Sequence, residues 1–244
     1  MILRFLSLCL MSVMLLSSEA FGQRFGRNFT IQVGYQAKYL NPKPFNFVVD
    51  AFNAELPRTQ DLSPYKWALG PVIGVGTHRG RSSIRLQGSR YTASSFGLFD
   101  DNGVEKRRDV KLSGTIISLS MMGELIPFNR ESHFAVGASF SMAQFNTQSS
   151  EVPSADFQDS DPLTQVSNQW LPSFTILAPF RIGLGPQVKL SLEPYYQIFF
   201  SSADFSAFGE NLVGNAIPSN DPGLTAELDH FGLTFNVMVF LRPR

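Results

Sequence analysis

The sequence predicts an all-β fold, an eight-stranded antiparallel up-and-down transmembrane β-barrel with short periplasmic turns and long outer loops. Three observations carry this expectation. First, His230 to Leu241 alternates strictly. Phe231, Leu233, Phe235, Val237, Val239 and Leu241 fall on one face, and Gly232, Thr234, Asn236, Met238 and Phe240 on the other. That is longer than a soluble strand usually needs, and it suits a strand crossing a bilayer at a tilt. Second, seven further alternating stretches precede it, and their connections run long, short, long, short, long, short, long. A barrel with both ends in the periplasm sorts its loops in this way. Third, 43% of the chain is hydrophobic and 13% aromatic, with 23 Phe, yet no segment beyond the leader approaches the roughly 18 consecutive apolar residues of a membrane helix.

Met1 to Ala20 carries Arg4, an apolar run and Ser18-Glu19-Ala20, the pattern of a signal peptide cleaved after Ala20. Residues 21–244 are then expected to form a single outer-membrane barrel domain. Cys9, the only cysteine, lies in the apolar run, so cleavage removes it and with it disulfides, thiol catalysis and Cys-ligated metals. The leader takes one of the 20 basic and one of the 20 acidic residues, so the mature chain stays formally neutral, and no nucleic-acid partner is implied.

Taken in order, the first strand sets Phe29, Ile31, Val33, Tyr35, Ala37 and Tyr39 against Thr30, Gln32, Gly34, Gln36 and Lys38. In the connection that follows, Phe45, Val48, Val49, Phe52 and Leu56 recur at helical spacing after Asn41-Pro42. This fits either a short amphipathic helix or a hydrophobic loop insert. The second strand, Trp67 to Thr77, faces Trp67, Leu69, Pro71, Ile73 and Val75 one way and small residues the other. After the turn His78-Arg79-Gly80-Arg81, the third strand opposes Ile84, Leu86 and Gly88 to Arg85, Gln87 and Ser89. Ser94 to Lys106 reads as a loop.

In the fourth strand, Val110, Leu112, Gly114 and Ile116 share a face, and the apolar series then continues on Ile117, Leu119, Met121 and Leu125. A bulge near Ile116-Ile117 would account for the change of phase. The fifth strand alternates Phe134, Val136, Ala138, Phe140 and Met142 with small residues. Asn146 to Asn168 reads as an exposed polar loop. The sixth strand presents Phe174, Ile176, Ala178, Phe180 and Ile182. The seventh presents Val188, Leu190, Leu192, Pro194, Tyr196, Ile198 and Phe200, and Ser201 to Asp229 is the last long loop.

The apolar face is placed toward lipid and the small, polar face inside, because an eight-stranded interior has room only for side chains. A soluble lipocalin-like barrel would bury its apolar face around a ligand instead. Tyr39, Trp67, Tyr91, Phe145, Trp170, Phe199 and Phe200 fall where strands meet the long loops, as an interfacial girdle requires. The charged residues assigned to the lumen are Lys38, Arg85, Lys111, Glu124, Arg181, Lys189 and Glu193. Charges in so narrow a space must be paired or hydrated. Arg85 is expected to pair with Glu124, and Glu193 with another basic side chain.

The long loops are acidic and form the expected interaction surface, through Glu151, Asp156, Asp159, Asp161, Asp204 and Glu210. Basic residues favour the turn side, at Arg79, Arg81, Arg130, Arg242 and Arg244. A rim hydrolase built on Asp229, His230 and a serine of Ser201-Ser202 is the enzymatic alternative. Solvated acidic loops are preferred over a calcium site because no EF-hand-like spacing is present. No catalytic residue, cofactor or metal is assigned.

The chain resembles the outer membrane protein beta-barrel domain family, which includes PorT-like proteins. The likeness rests on the leader, the strand Phe29-Thr30-Ile31-Gln32-Val33-Gly34-Tyr35, the insert Phe45 to Leu56 and the closing Phe231-Gly232-Leu233-Thr234-Phe235-Asn236-Val237. Such proteins usually end on an aromatic residue read by the barrel-assembly machinery, whereas here Arg242-Pro243-Arg244 follows Leu241. The resemblance implies outer-membrane lipid, the assembly machinery and an envelope or secretion protein as partners.

Overall fold

The alternating stretches pair into a closed ring. The computed structural model describes residues 29–40, 42–55, 58–79, 81–129, 132–157, 162–185, 187–218 and 220–241. The leader, Asp159, Asp161, Arg130 and Arg242 to Arg244 lie outside them. The ring strands are β1 (Phe29–Tyr39), β2 (Trp67–Arg79), β3 (Ser82–Asp101), β4 (Val104–Pro127) and β5 (His133–Pro153). They continue with β6 (Thr164–Leu177, resumed as Phe180–Gly183), β7 (Val188–Phe199) and β8 (His230–Leu241). Each pairs antiparallel with its sequence neighbour, and β8 closes onto β1 from Phe29↔Leu241 to Tyr39↔Phe231. The break in β6 falls at Ala178-Pro179, where proline removes a ladder donor.

The outer face is apolar over the length of a bilayer crossing. Val33, Ile73, Ile117, Phe140, Ile176 and Phe235 are exposed on neighbouring strands, Ile73 by 62%. Residues of the opposite parity around the ring, Gln32, Val72, Arg85, Ser120, Ser139, Thr175, Glu193 and Thr234, are buried inside. Pleating makes this separation automatic once the ring closes. The ring and its inside-outside sorting match the sequence expectation. Ile73 lies mid-strand on the lipid face, so Ile73→Arg is expected to destabilise the barrel in lipid by about 2–4 kcal/mol. The same change at exposed Thr92, above the belt, should cost far less, and reversible unfolding in vesicles measures both.

Three connections differ from their expected form. Ser94 to Lys106 is no loop: β3 and β4 stay in register from Ser82↔Gly123 to Asp101↔Val104 and meet at a two-residue turn. Asn102 and Gly103 take φ of 57° and 83°, the left-handed pair that a tight hairpin requires, and Gly103 N–H donates to Asp100 Oδ1 at 2.6 Å. Similarly β5 runs to Pro153 and β6 begins at Thr164, so the loop at Asn146 to Asn168 shrinks to its middle. At ~3.3 Å per residue the 20 residues of β3 far exceed the 9–11 needed to cross. Strands β3 to β5 therefore rise well above the lipid. Finally, Ser201 to Asp229 contains a helix, Ser206–Val213, and a two-rung ribbon, Ala203↔Ala226 and Asp204↔Thr225.

The bulge at Ile116-Ile117 is also corrected. Both ladders of β4 run through these residues without a slip, and the irregularity lies at Glu124/Ile126. What changes is the surroundings. Val110, Leu112 and Ile116 point inward into an apolar core at the barrel mouth, while Ile117, Met121 and Leu125 point outward into the lipid zone.

That mouth core is a lid. Helix α1 (Lys43–Glu55) buries Pro44, Phe45, Val48, Val49 and Phe52, and the later helix, α2 (Ser206–Val213), buries Phe208, Leu212 and Val213 against them. Phe45 stacks on Phe208 at 4.5 Å and on Tyr65 at 4.7 Å. Two asparagines one heptad apart on α1 fasten the following segment. Asn46 exchanges hydrogen bonds with Tyr65 backbone groups, and Asn53 does the same with Leu62. Below them the Tyr65 hydroxyl donates to the Val110 carbonyl at 2.7 Å, and burial pushes its pKa up.

Candidate functional site: the sealed lumen and the outer extension

A transverse bridge crosses the lumen beneath the lid. Arg85 on β3 donates from Nη1 to Glu193 Oε1 on β7 at 2.8 Å and to Gln32 Oε1 on β1 at 3.1 Å. Ser191 Oγ donates to the same carboxylate oxygen at 2.8 Å, and Gln32 Nε2 donates to Gln87. In a ring of eight, β3 and β7 are four strands apart, so this ion pair spans the full bore. Both side chains are buried, with 5% and 3% exposure.

The other charges assigned to the lumen separate. Glu124 does not meet Arg85. It lies within 3.2 Å of His133 near the turn end, in ion-pair range but without hydrogen-bond alignment. The partner swap follows from register: Arg85 stands opposite Ser120, four residues along β4 from Glu124. Lys111 is not in the lumen, because its neighbours Val110 and Leu112 occupy the inward face of β4. Arg181 is buried and reaches the Met122 sulfur at 3.1 Å. Lys189 lies 5.2 Å from the Phe240 ring centre. Lys38, 1% exposed, sits over the Tyr91 and Tyr195 rings at 4.6 and 5.7 Å.

The girdle divides. Trp67, Trp170 and Phe200 are outward and exposed, and Tyr39 packs on Trp67 and Phe231. Tyr91, Phe145 and Phe199 turn inward and belong to the mouth core, with Phe145 edge-on to both of the others.

Above the lipid, the strand extension carries a charge network. Lys106 bridges Asp101 at 2.6 Å and Glu151 at 3.0 Å, and these hydrogen bonds raise its pKa. Arg108 holds Glu151 at 2.9 Å and donates to the Asn211 carbonyl on α2, tying extension to lid. Arg107 chelates Asp109 through two bonds and is sandwiched by Phe96 and Phe157. Of the acidic residues expected to form a contact surface, Glu151 is thus engaged locally, and Asp204 accepts from Ser206 at the start of α2. Asp156 and Glu210 are exposed.

The hydrolase constellation is not assembled. His230 is buried with Nδ1 2.9 Å from the Leu228 carbonyl, while Asp229 accepts from Phe199 N–H at 2.7 Å. Among the described residues, no group of three His, Cys, Asp or Glu is placed to hold a metal.

No family model and no curated protein sequence matches the chain. Among solved structures it is similar to the Neisserial surface protein A, at 14% identity over 86% of this chain and 96% of that one, with a TM-score of 0.47. It is also similar to the outer membrane protein OprG of Pseudomonas aeruginosa, at 8% identity over 89% and 97%, with a TM-score of 0.44. The outer membrane protease OmpT of Escherichia coli matches at 6% identity over 88% and 96%, with a TM-score of 0.30. These likenesses transfer no activity to the chain. The eight-stranded ring stands on its own ladder of paired residues.

Proposed function

We propose that this chain is a non-enzymatic protein of the bacterial outer membrane that works through the surface it presents above the lipid. The observation that carries this reading is the pairing of a twice-sealed lumen with a strand extension rising past the lipid belt. A lid core and the Arg85–Glu193 bridge occupy the bore in series, which weighs against a passive channel. The extension and the α2 surface, with Asp156 and Glu210 exposed on it, are what remain for recognition. Of the insert, Phe45, Val48, Val49 and Phe52 are buried in the lid, whereas Phe47 is exposed on it. Resemblance to PorT-like proteins supplies secretion or envelope assembly as the setting, with insertion by the barrel-assembly machinery.

Photo-crosslinkers at Glu210, Asp156 and Ile73 test this in intact outer membranes. A stoichiometric protein adduct from the first two positions, with none from the lipid-facing third, is expected. Adducts to lipid alone, together with steady conductance of the purified protein in planar bilayers, would overturn it.

A further inference from the structure

A cavity of about 40 Å3 lies in the lumen, and Gln36, Lys38, Arg85, Glu193, Tyr195 and Gln197 are among its walls. It has room for roughly three water-sized occupants. Lys38 is the unusual member. Its stem and ammonium are withdrawn from bulk water, and among the described residues no carboxylate lies within ion-pair distance of it. Glu193, the one carboxylate lining the cavity, is engaged by Arg85 and Ser191. With Lys38 protonated, Lys38 and Arg85 against Glu193 leave one positive charge at the cavity wall.

The setting of Lys38 is constructed. The two rings that flank it come from opposite walls, Tyr91 from β3 and Tyr195 from β7. Each stands directly across the ladder from a glycine, Gly114 and Gly232 respectively. A β-carbon at either glycine would overlap the ring it faces, so these small residues are what let the tyrosines lie flat in so narrow a bore. Ring faces stabilise an ammonium but do not replace a counter-ion. Their negative quadrupoles also repel an anion, so that an anion would reach the ammonium from the cavity side. On that side Gln36 Nε2 and the Tyr195 hydroxyl are buried donors without a protein partner, and the Tyr91 hydroxyl, also buried, has none either.

We propose that the lumenal cavity binds one small inorganic anion of the halide class, with the Lys38 ammonium as charged ligand and Gln36 and Tyr195 as hydrogen-bond donors. The volume excludes sugars, nucleotides and lipid headgroups. The site is a structural one, balancing the positive charge at the cavity wall, and it does not depend on what the outer surface binds.

The test uses the full folded barrel in detergent, unfolded by heat at fixed ionic strength while sodium methanesulfonate is replaced by sodium chloride. The wild type is expected to gain several degrees along a saturating curve. Lys38→Met should lose that dependence while keeping its heat-modifiable migration. If Lys38→Met does not fold, Tyr195→Phe keeps the ring and removes one donor, and the half-saturating chloride concentration should rise several-fold. Crystals soaked in bromide should show an anomalous peak beside Lys38 Nζ. A bromide peak with no chloride dependence in solution would mean an adventitious ion only. That result, the absence of any peak, or an undiminished chloride effect in Lys38→Met would each overturn the assignment.

Discussion

Replacing Glu193 by Gln is expected to lower the stability of the folded barrel by about 3–5 kcal/mol, because it leaves the Arg85 guanidinium buried opposite a group that no longer carries charge. Arg85 has little else to turn to: Gln32 offers one neutral oxygen, and its Nε has no partner. The cost comes from stranding a charge rather than from losing a favourable pair, since burying two ions consumes most of what their attraction returns. Removing both charges with Arg85→Met and Glu193→Leu should therefore recover most of the loss. Glu124→Gln serves as the control, because that carboxyl is a quarter exposed and faces His133, and it should change stability by under about 1 kcal/mol. Urea unfolding of the refolded protein, followed by heat-modifiable migration, reads all three variants. An unchanged midpoint for Glu193→Gln, or a double variant weaker than the single, would remove the cross-lumen bridge from the account.

The lipid-facing half of this structure was legible because hydrophobicity and strand parity coincide there, as in β1 and β8. Where they part, the reading failed. Tyr91 shares the parity of Arg85 and Ser89, Phe145 that of Ser139 and Ser141, and Phe199 that of Glu193 and Gln197. The alternation itself placed all three inside. Their place at strand ends suits a girdle, a rule that says nothing about which face they occupy. The change of phase in β4 has the same origin. An apolar residue can face inward at the mouth because a lid covers it, and the lid is tertiary information. The Asn102-Gly103 hairpin was visible as a dipeptide and was masked by the charged run from Glu105 to Asp109, which looks like loop until its ion pairs are seen. Helix α2 had Phe208, Leu212 and Val213 at helical spacing, too short a run to announce it. That Glu193 needs a basic partner was legible, but that the partner is Arg85 was not, since residues 108 apart in sequence meet only when the ring closes.

Phe45→Ala should unfasten the lid while leaving the ring closed. Phe45 is fully buried, with Phe208 and Tyr65 stacked on it and Phe205 edge-on at 6.1 Å, so truncation removes the centre of the lid core. Such a change costs about 3–5 kcal/mol where the site cannot collapse. That cost falls on a local unit, because the eight ring pairings run without any residue of α1 or α2 and segments with separate cores open separately. Amide exchange of residues 45–53 and 206–213 should accelerate by two to three orders of magnitude, at ~1.4 kcal/mol for each factor of ten. The midpoint for loss of the barrel should move by less than a tenth of its value. Conductance should stay absent, because Arg85 and Glu193 still span the bore below; only the lid variant combined with Glu193→Gln would open both closures. A global midpoint that falls with lid exchange unchanged would mean that the helices are part of one cooperative unit with the ring. The lid would then be a structural keystone of the barrel rather than a separable cover.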